Sequence, residues 1–219
     1  MNKISDLILY KDHHIIALNK PAGLPTQPDK SGEGNAHQMA MAYAHRDLYI
    51  VHRLDQRVSG VLLFAKTKDA ARYLGNQWKE RSTRKIYLGI VPKSDIPVTG
   101  VLTNFLTLDN KSNFTTAHKE AFEGAFESSL EYKVIQELEN FMVLQIELIS
   151  GRKHQIRAQL AAIDIPIRGD IKYGSKRTNE DGSIDLHAYS LEFAHPSTKK
   201  PVKIVAPLPE GGLWQYVRG

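Results

Sequence analysis

His52-Arg53-Leu54-Asp55-Gln56-Arg57-Val58-Ser59-Gly60 shows no apolar period and runs straight into Val61-Leu62-Leu63-Phe64-Ala65. The first stretch reads as a loop crowded with ionisable side chains. The second is a short, continuous apolar run and reads as a buried strand. A carboxylate at the entrance of such a strand stands where a cleft can open, so Asp55 is the first candidate for chemistry. A cation within ~4–6 Å lowers an Asp pKa by roughly 1–3, and Arg53 and Arg57 flank Asp55 in sequence. An ionised, positioned carboxylate can attack an electrophilic sugar carbon. A solvated turn whose charges pair at random has the same composition, and this segment alone leaves both readings open.

Upstream, apolar runs over 7–10 and 15–18 are split by Lys11-Asp12-His13-His14 and read as a hairpin. Lys20-Pro21-Ala22-Gly23-Leu24-Pro25 stops the second strand, because proline lacks the ladder donor. Residues 26–34 read as an exposed, mobile loop, and 35–46 as a short helix with Met39, Ala42 and Tyr43 on one face. Downstream, 68–81 reads as a helix with Ala71, Leu74 and Trp78 on one stripe. Strands are expected over 86–91, 141–149, 186–193 and 202–206. Weaker candidates fill 98–136, among them 127–134. A helix over 154–163 turns Ile156, Leu160 and Ile163 inward, and 172–184 reads as a loop. Strands outnumber helices and the order is no regular βαβ alternation. The expected class is α+β, with a mixed, largely antiparallel sheet and flanking helices. The length of 219 residues fits one domain, or one domain of two lobes. No linker is legible, so 1–219 is expected to form a single catalytic domain.

Three further segments carry candidates. Ser150-Gly151-Arg152-Lys153-His154-Gln155-Ile156-Arg157 puts three cations and a histidine at a strand-to-helix junction. Ser150 is an expected N-cap, and helix starts attract anions. His154 and Arg157 are three apart and share a helix face. Arg157 can then reach a cleft while Ile156 packs inward. A surface helix start with ordinary charges is the competing reading. In Arg84-Lys85-Ile86-Tyr87, the strand period puts Lys85 and Tyr87 on one face. Tyr87 is either a stacking and proton-carrying residue or a core tyrosine with a satisfied hydroxyl. Asp170, between Gly169 and Gly174, is either a second carboxylate for chemistry or a turn residue capped by its own side chain.

Composition removes several classes. There is no cysteine, which excludes disulfides, Cys-ligated zinc, iron–sulfur clusters and a thiol nucleophile. No phosphate-binding glycine loop, H-x-x-x-H pair or G-x-S-x-G elbow occurs. The N-terminus is too polar for a secretory segment, and no apolar run approaches ~18 residues. A soluble, cytoplasmic protein without a membrane contact is expected. The net charge of +5 suits a polyanion, although many proteins with such a charge bind no nucleic acid.

These segments occur together and in order. Arg53-Leu54-Asp55 in its H-R-L-D-x-x-x-S-G frame resembles the central motif of RluA-type pseudouridine synthases. Lys20-Pro21-Ala22-Gly23, Arg84-Lys85-Ile86-Tyr87, Ser150 to Arg157, Gly169-Asp170 with Tyr173-Gly174, and Leu186-His187-Ala188 are similar to that family's other landmarks. The resemblance spans about residues 7–207. It departs at Gln56 and Val58, where many members have Arg and Thr, and at Ser150, where they have Thr.

The resemblance implies the pseudouridine synthase fold with a central active-site cleft. It implies an isomerase that acts on uridines of ribosomal or transfer RNA without metal or organic cofactor. Asp55 matches the family's catalytic aspartate, Tyr87 its active-site tyrosine, and Arg157 the arginine that pairs with the aspartate. Leu186 matches an apolar residue lining the base pocket. Arg53, Arg152, Lys153 and His154 are expected to contact the RNA. The chain starts almost at the catalytic segment, so an S4-like domain is expected to be absent and RNA selection to rest on the catalytic domain. A monomer is expected. Two rival functions are a non-catalytic RNA-binding protein and an RNA N-glycosylase. The glycosylase would set two carboxylates ~5–5.5 or ~6.5–9.5 Å apart across the bond and would release free uracil. Asp170 is the only obvious partner for that pairing.

Overall fold

The structure, a computed structural model, describes residues 3–28 and 34–218. Residues 29–33 of the loop expected over 26–34 lie outside the described residues. In chain order the elements are β1 (Ile8–Lys11), β2 (Ile15–Lys20), α1 (Ala36–Ala44), β3 (Tyr49–Ile50), β4 (Ser59–Ala65), α2 (Lys68–Lys79) and β5 (Arg84–Pro92). There follow β6 (Thr99–Asp109), β7 (Phe114–His118), β8 (Phe126–Glu137), β9 (Phe141–Leu148), α3 (Gln155–Ala161), β10 (Leu186–Ala194) and β11 (Pro201–Val205). Strands dominate, and all but one of the recorded pairings are antiparallel, as the α+β reading expects.

Two compact units result, Met1–Lys85 with His187–Pro209 and Ile86–Leu186 with Glu210–Gly219. The boundaries at 85/86 and 186/187 fall inside β5 and β10. A composition shift marks linkers, not positions inside strands, so the sequence carries no sign of this division.

In the first unit β2 pairs antiparallel with β1 and β4. All seven residues of β4 are buried, which is why its sequence is apolar without alternation. The other edge of β4 takes β10 in parallel at Ser59 and Gly60, and β3 at Phe64 and Ala65. Gly60 has φ +112°, and a Cβ there would lie 2.2 Å from the Ala188 carbonyl oxygen. Only glycine lets β10 approach. Helix α2 starts at Thr67, whose side chain accepts from the Ala70 N–H, and buries Ala70 and Leu74 among Ile15, Val61, Leu63, Leu191 and Phe193. In α1 the buried residues are Ala36 and Ala40, while Ala42 is exposed. The expected face through Met39, Ala42 and Tyr43 is therefore displaced. Two small residues one turn apart allow close packing, and the larger side chains keep partial contact with water.

In the second unit β5, β9, β8, β6 and β7 form an antiparallel set in that order. Helix α3 is shorter than the expected 154–163 and is buried on all sides from Gln155 to Leu160. Gln159 Nε2 is shared among the carbonyls of Leu102 and Ser128 and Asn104 Oδ1, while its Oε1 is buried without a hydrogen-bond partner. Ser150 is not the N-cap. That position belongs to His154 at φ 54°, without a side-chain cap, and the Ser150 hydroxyl donates to Gln155 Oε1 at 2.9 Å.

Candidate active site

In the first unit the geometry centres on the turn that carries Asp55. The Asp55 carbonyl accepts from the Val58 N–H at 3.1 Å. Leu54 and Val58 are buried, Asp55 is half-buried, and Arg53, Gln56 and Arg57 are exposed. The segment after β2 holds this turn at several points. The Thr26 hydroxyl donates to the Leu54 carbonyl at 2.8 Å and accepts from the Leu54 N–H at 3.1 Å. The Gly23 N–H donates to the Gln56 carbonyl at 2.8 Å, and Gln56 Nε2 donates back to the Gly23 carbonyl at 3.1 Å.

Lys20 is wholly buried, a rare state for a lysine. Its Nζ donates to the carbonyls of Pro21, Leu24 and Gln56 at 2.9, 2.8 and 3.2 Å, which uses all three ammonium protons. Burial pushes its pKa down to about 7, and the charge of Asp55 pulls it back up. The backbone on both sides of Asp55 is thereby fixed before any substrate arrives.

Two histidines brace the same region. β3 and β10 leave Leu63 uncovered between them on the edge of β4. His52 Nε2 accepts from the Leu63 N–H at 2.9 Å, and the ring stacks on Trp78 at 5.4 Å. An accepting Nε2 requires neutral imidazole. Burial, followed by the charge of Lys85, pushes the His52 pKa down to about 3. His187 Nδ1 lies 2.8 Å from Ser59 Oγ where β10 meets β4. Burial lowers the His187 pKa to about 4.

In the second unit Tyr87 is half-buried, with Ile86 and Leu88 buried on the opposite face, as period 2 expects. Arg157 and Asp170 are both buried and form a two-pronged pair, Nε to Oδ2 at 2.6 Å and Nη2 to Oδ1 at 2.9 Å. The Asp170 side chain does not cap its turn; its backbone carbonyl does, accepting from Tyr173 and Ser175. Beside the pair, the Tyr173 ring lies 4.7 Å from the Arg157 guanidinium carbon and stacks on Phe114 at 4.6 Å. The Tyr173 hydroxyl accepts from the Thr115 N–H at 2.8 Å and meets His154 Nδ1 at 2.9 Å.

Of the expected RNA contacts, Arg53, Arg152 and Lys153 are exposed. His154 is buried, ahead of the helix rather than on a face shared with Arg157. Leu186 is buried, and a Cβ on Gly89 would lie 3.7 Å from its Cδ1. Sequence reasoning missed the burial of Lys20, the Thr26 clip and the Tyr173 cluster. The Lys-Pro-x-Gly pattern hinted at the first; nothing local marks the other two. Among the described residues no group of three or more His, Asp or Glu could hold a metal ion, and no helix is long and apolar enough to cross a membrane.

The chain is an α+β protein that holds a half-buried carboxylate on a fixed turn ahead of a buried strand, with exposed arginines on either side in sequence. Residues 14–162 match the family model for RNA pseudouridylate synthase, and the chain belongs to that family. It is 32% identical over 221 residues to "Ribosomal large subunit pseudouridine synthase C" of Vibrio vulnificus (strain CMCP6), covering 96% of this chain and 69% of the relative. It is 33% identical over 225 residues to "Ribosomal large subunit pseudouridine synthase D" of Xylella fastidiosa (strain Temecula1 / ATCC 700964), covering 93% and 66%. The chain thus spans roughly two thirds of the length of these relatives. Among solved structures, "Human RNA Pseudouridylate Synthase Domain Containing 4" superposes with a TM-score of 0.74 at 23% identity, covering 94% of this chain and 90% of the other. That likeness shows the shared fold. The family that the motifs resemble is therefore the family of the chain, and the enzyme class is RNA pseudouridine synthase, an isomerase.

Proposed function

We propose that this chain isomerises uridine in large-subunit ribosomal RNA, with Asp55 as nucleophile and Tyr87 and Arg157 as its catalytic partners. It works as a cytoplasmic monomer without a cofactor, and residues 1–219 form one catalytic domain. The reaction breaks the C1′–N1 bond of uridine and rejoins the uracil through C5. N1 gains a proton and C5 loses one, so no atom is lost overall. Asp55 acts on the ribose, either by attack at C1′ or by taking the 2′ proton. Tyr87 is the base for the C5 proton, and Arg157, held by the Asp170 carboxylate, is the arginine that matches the family's. Leu186 lines the base pocket. Arg53, Arg152 and Lys153 hold the RNA and offset the few kcal/mol that flipping a nucleotide costs, while the buried His154 anchors their segment to Tyr173.

One observation carries the role of Asp55: its turn is tied to residues 20–26 by Lys20, Gly23 and Thr26. Fixing a reacting group in advance supplies a large part of a catalytic barrier reduction. The names of the relatives support ribosomal RNA as the target. The test is pseudouridine mapping of ribosomal RNA from cells lacking the gene, complemented with wild type or Asp55→Asn. A uridine modified with wild type alone is expected. Restoration of that site by Asp55→Asn refutes the nucleophile, and a modified site found only in transfer RNA refutes the substrate.

A further inference from the structure

Phe126 opens β8 and is 53% exposed, although it pairs with the buried Leu106 on β6. The Arg152 guanidinium lies over its ring, with Cζ 4.2 Å from the centroid, and Arg152 is exposed as well. A guanidinium lying over an exposed aromatic ring is thus presented to solvent.

The backbone beneath it is held firmly. The Arg152 N–H donates to Gln155 Oε1 at 3.0 Å, an oxygen that also accepts from Ser150 Oγ. Gln155 Nε2 donates to the Ser129 carbonyl at 3.0 Å, three residues along β8 from Phe126. The Lys153 carbonyl accepts from Thr115 Oγ1 on β7 at 2.9 Å. Residues 150–155 are therefore clamped to β8 and to β7, and the exposed Lys153 side chain stands next to Arg152 in the chain.

The geometry points to Phe126 and Arg152 as a stacking platform for one unpaired base of the RNA substrate, with Lys153 taking a neighbouring phosphate. This inference rests on the RNA-modifying function above. Unpaired RNA bases stack on aromatic rings and on arginine planes, and a backbone already held in place loses little freedom when a base arrives. The base is not the uridine being isomerised. A ribose with its glycosidic bond broken must be shielded from water, and this surface is open. The adjacent cations favour a nucleotide over an apolar protein segment, because a phosphate accompanies every base.

The experiment measures binding of a protein-free large-subunit ribosomal RNA transcript over a range of salt concentrations. Phe126→Ala and Phe126→Leu are expected to weaken binding roughly tenfold, the size of one base–aromatic stack, with the salt slope unchanged. Phe126→Trp keeps the ring and retains wild-type affinity. Lys153→Ala lowers the salt slope by about 1, whereas Arg152→Lys keeps the slope and still loses affinity, since its charge is not planar. Binding of Phe126→Ala within about twofold of wild type, or full affinity of Phe126→Leu, overturns the platform. So does a defect seen with ribosomal particles but not with bare RNA, which assigns the surface to a protein partner. The same wild-type preparation is assayed for pseudouridine. If it forms product while Phe126→Ala binds normally, only the platform falls. If it neither binds nor modifies the transcript, the functional reading falls with it.

Discussion

Asp170→Ala deletes both acceptors of the Arg157 pair and keeps the guanidinium in the interior. Asp170 is 0% exposed and Arg157 is 5% exposed, so water cannot replace the lost carboxylate without opening the unit. Breaking a buried pair from one side costs about 3–5 kcal/mol. The Tyr173 ring at 4.7 Å from the guanidinium carbon remains and offsets about 1 kcal/mol of this. The expected loss is about 2–4 kcal/mol, which for a chain of this size lowers the melting temperature by about 4–16 °C. Asp170→Asn keeps the shape and one acceptor and is expected to fall between wild type and Asp170→Ala. The double variant Arg157→Ala/Asp170→Ala removes the buried charge altogether, so its loss should be smaller than the sum of the single losses by at least about 1 kcal/mol. Urea melts of the four proteins give the cycle. A stability of Asp170→Ala within about 0.5 kcal/mol of wild type, or additive losses in the double variant, refutes the account of this pair as a buried, mutually dependent unit.

At Gly60 a methyl group meets the Ala188 carbonyl oxygen at 2.2 Å from a backbone at φ +112°. Gly60→Ala is expected to lose about 4 kcal/mol or more, or to fail to fold; a normal melting curve sinks the close-approach argument. Lys20 gives a pH test. Its pKa falls from 10.5 to about 7 on folding, so between those values the unfolded chain holds a proton that the folded chain has lost. Stability from this group therefore rises with pH across that window, by at most about 5 kcal/mol. The three carbonyl acceptors favour the ammonium form and reduce the amount. Lys20→Met should flatten the rise in urea melts from neutral to alkaline pH, and parallel curves for the two proteins would show that Lys20 titrates as an ordinary lysine.

The elements that could be read from sequence are those whose pattern reports burial directly. The run 61–65 lacks alternation because β4 is buried along its whole length, and Lys85 and Tyr87 alternate with Ile86 and Leu88 because β5 shows different environments on its two faces. α3 fails that test. A helix buried all round carries Gln155, Arg157 and Gln159 inside, so its polar residues look like those of a surface helix; the start was legible to within one residue, but the cap was not. His154 illustrates the same limit. In a charged stretch it reads as a ligand for phosphate, yet the Tyr173 hydroxyl, 19 residues away, engages it in the interior.

The site divides along the same line. Asp55 could be located because a catalytic side chain on a loop leaves a local mark, namely ionisable residues where the apolar period stops. What fixes Asp55 leaves none. Thr26 and Leu54 are 28 residues apart, and Lys20 and Gln56 are 36 apart. These bonds run largely through backbone carbonyls and N–H groups, which every residue type supplies. A lysine that spends all three protons on carbonyls has the same letter as one in solvent. Side-chain chemistry is therefore legible in one dimension, whereas the rigidity that makes a carboxylate useful is written in contacts between distant segments. For that reason the Lys20→Met and Asp170→Ala variants each test, within its own unit, contacts that the sequence motifs alone could not supply.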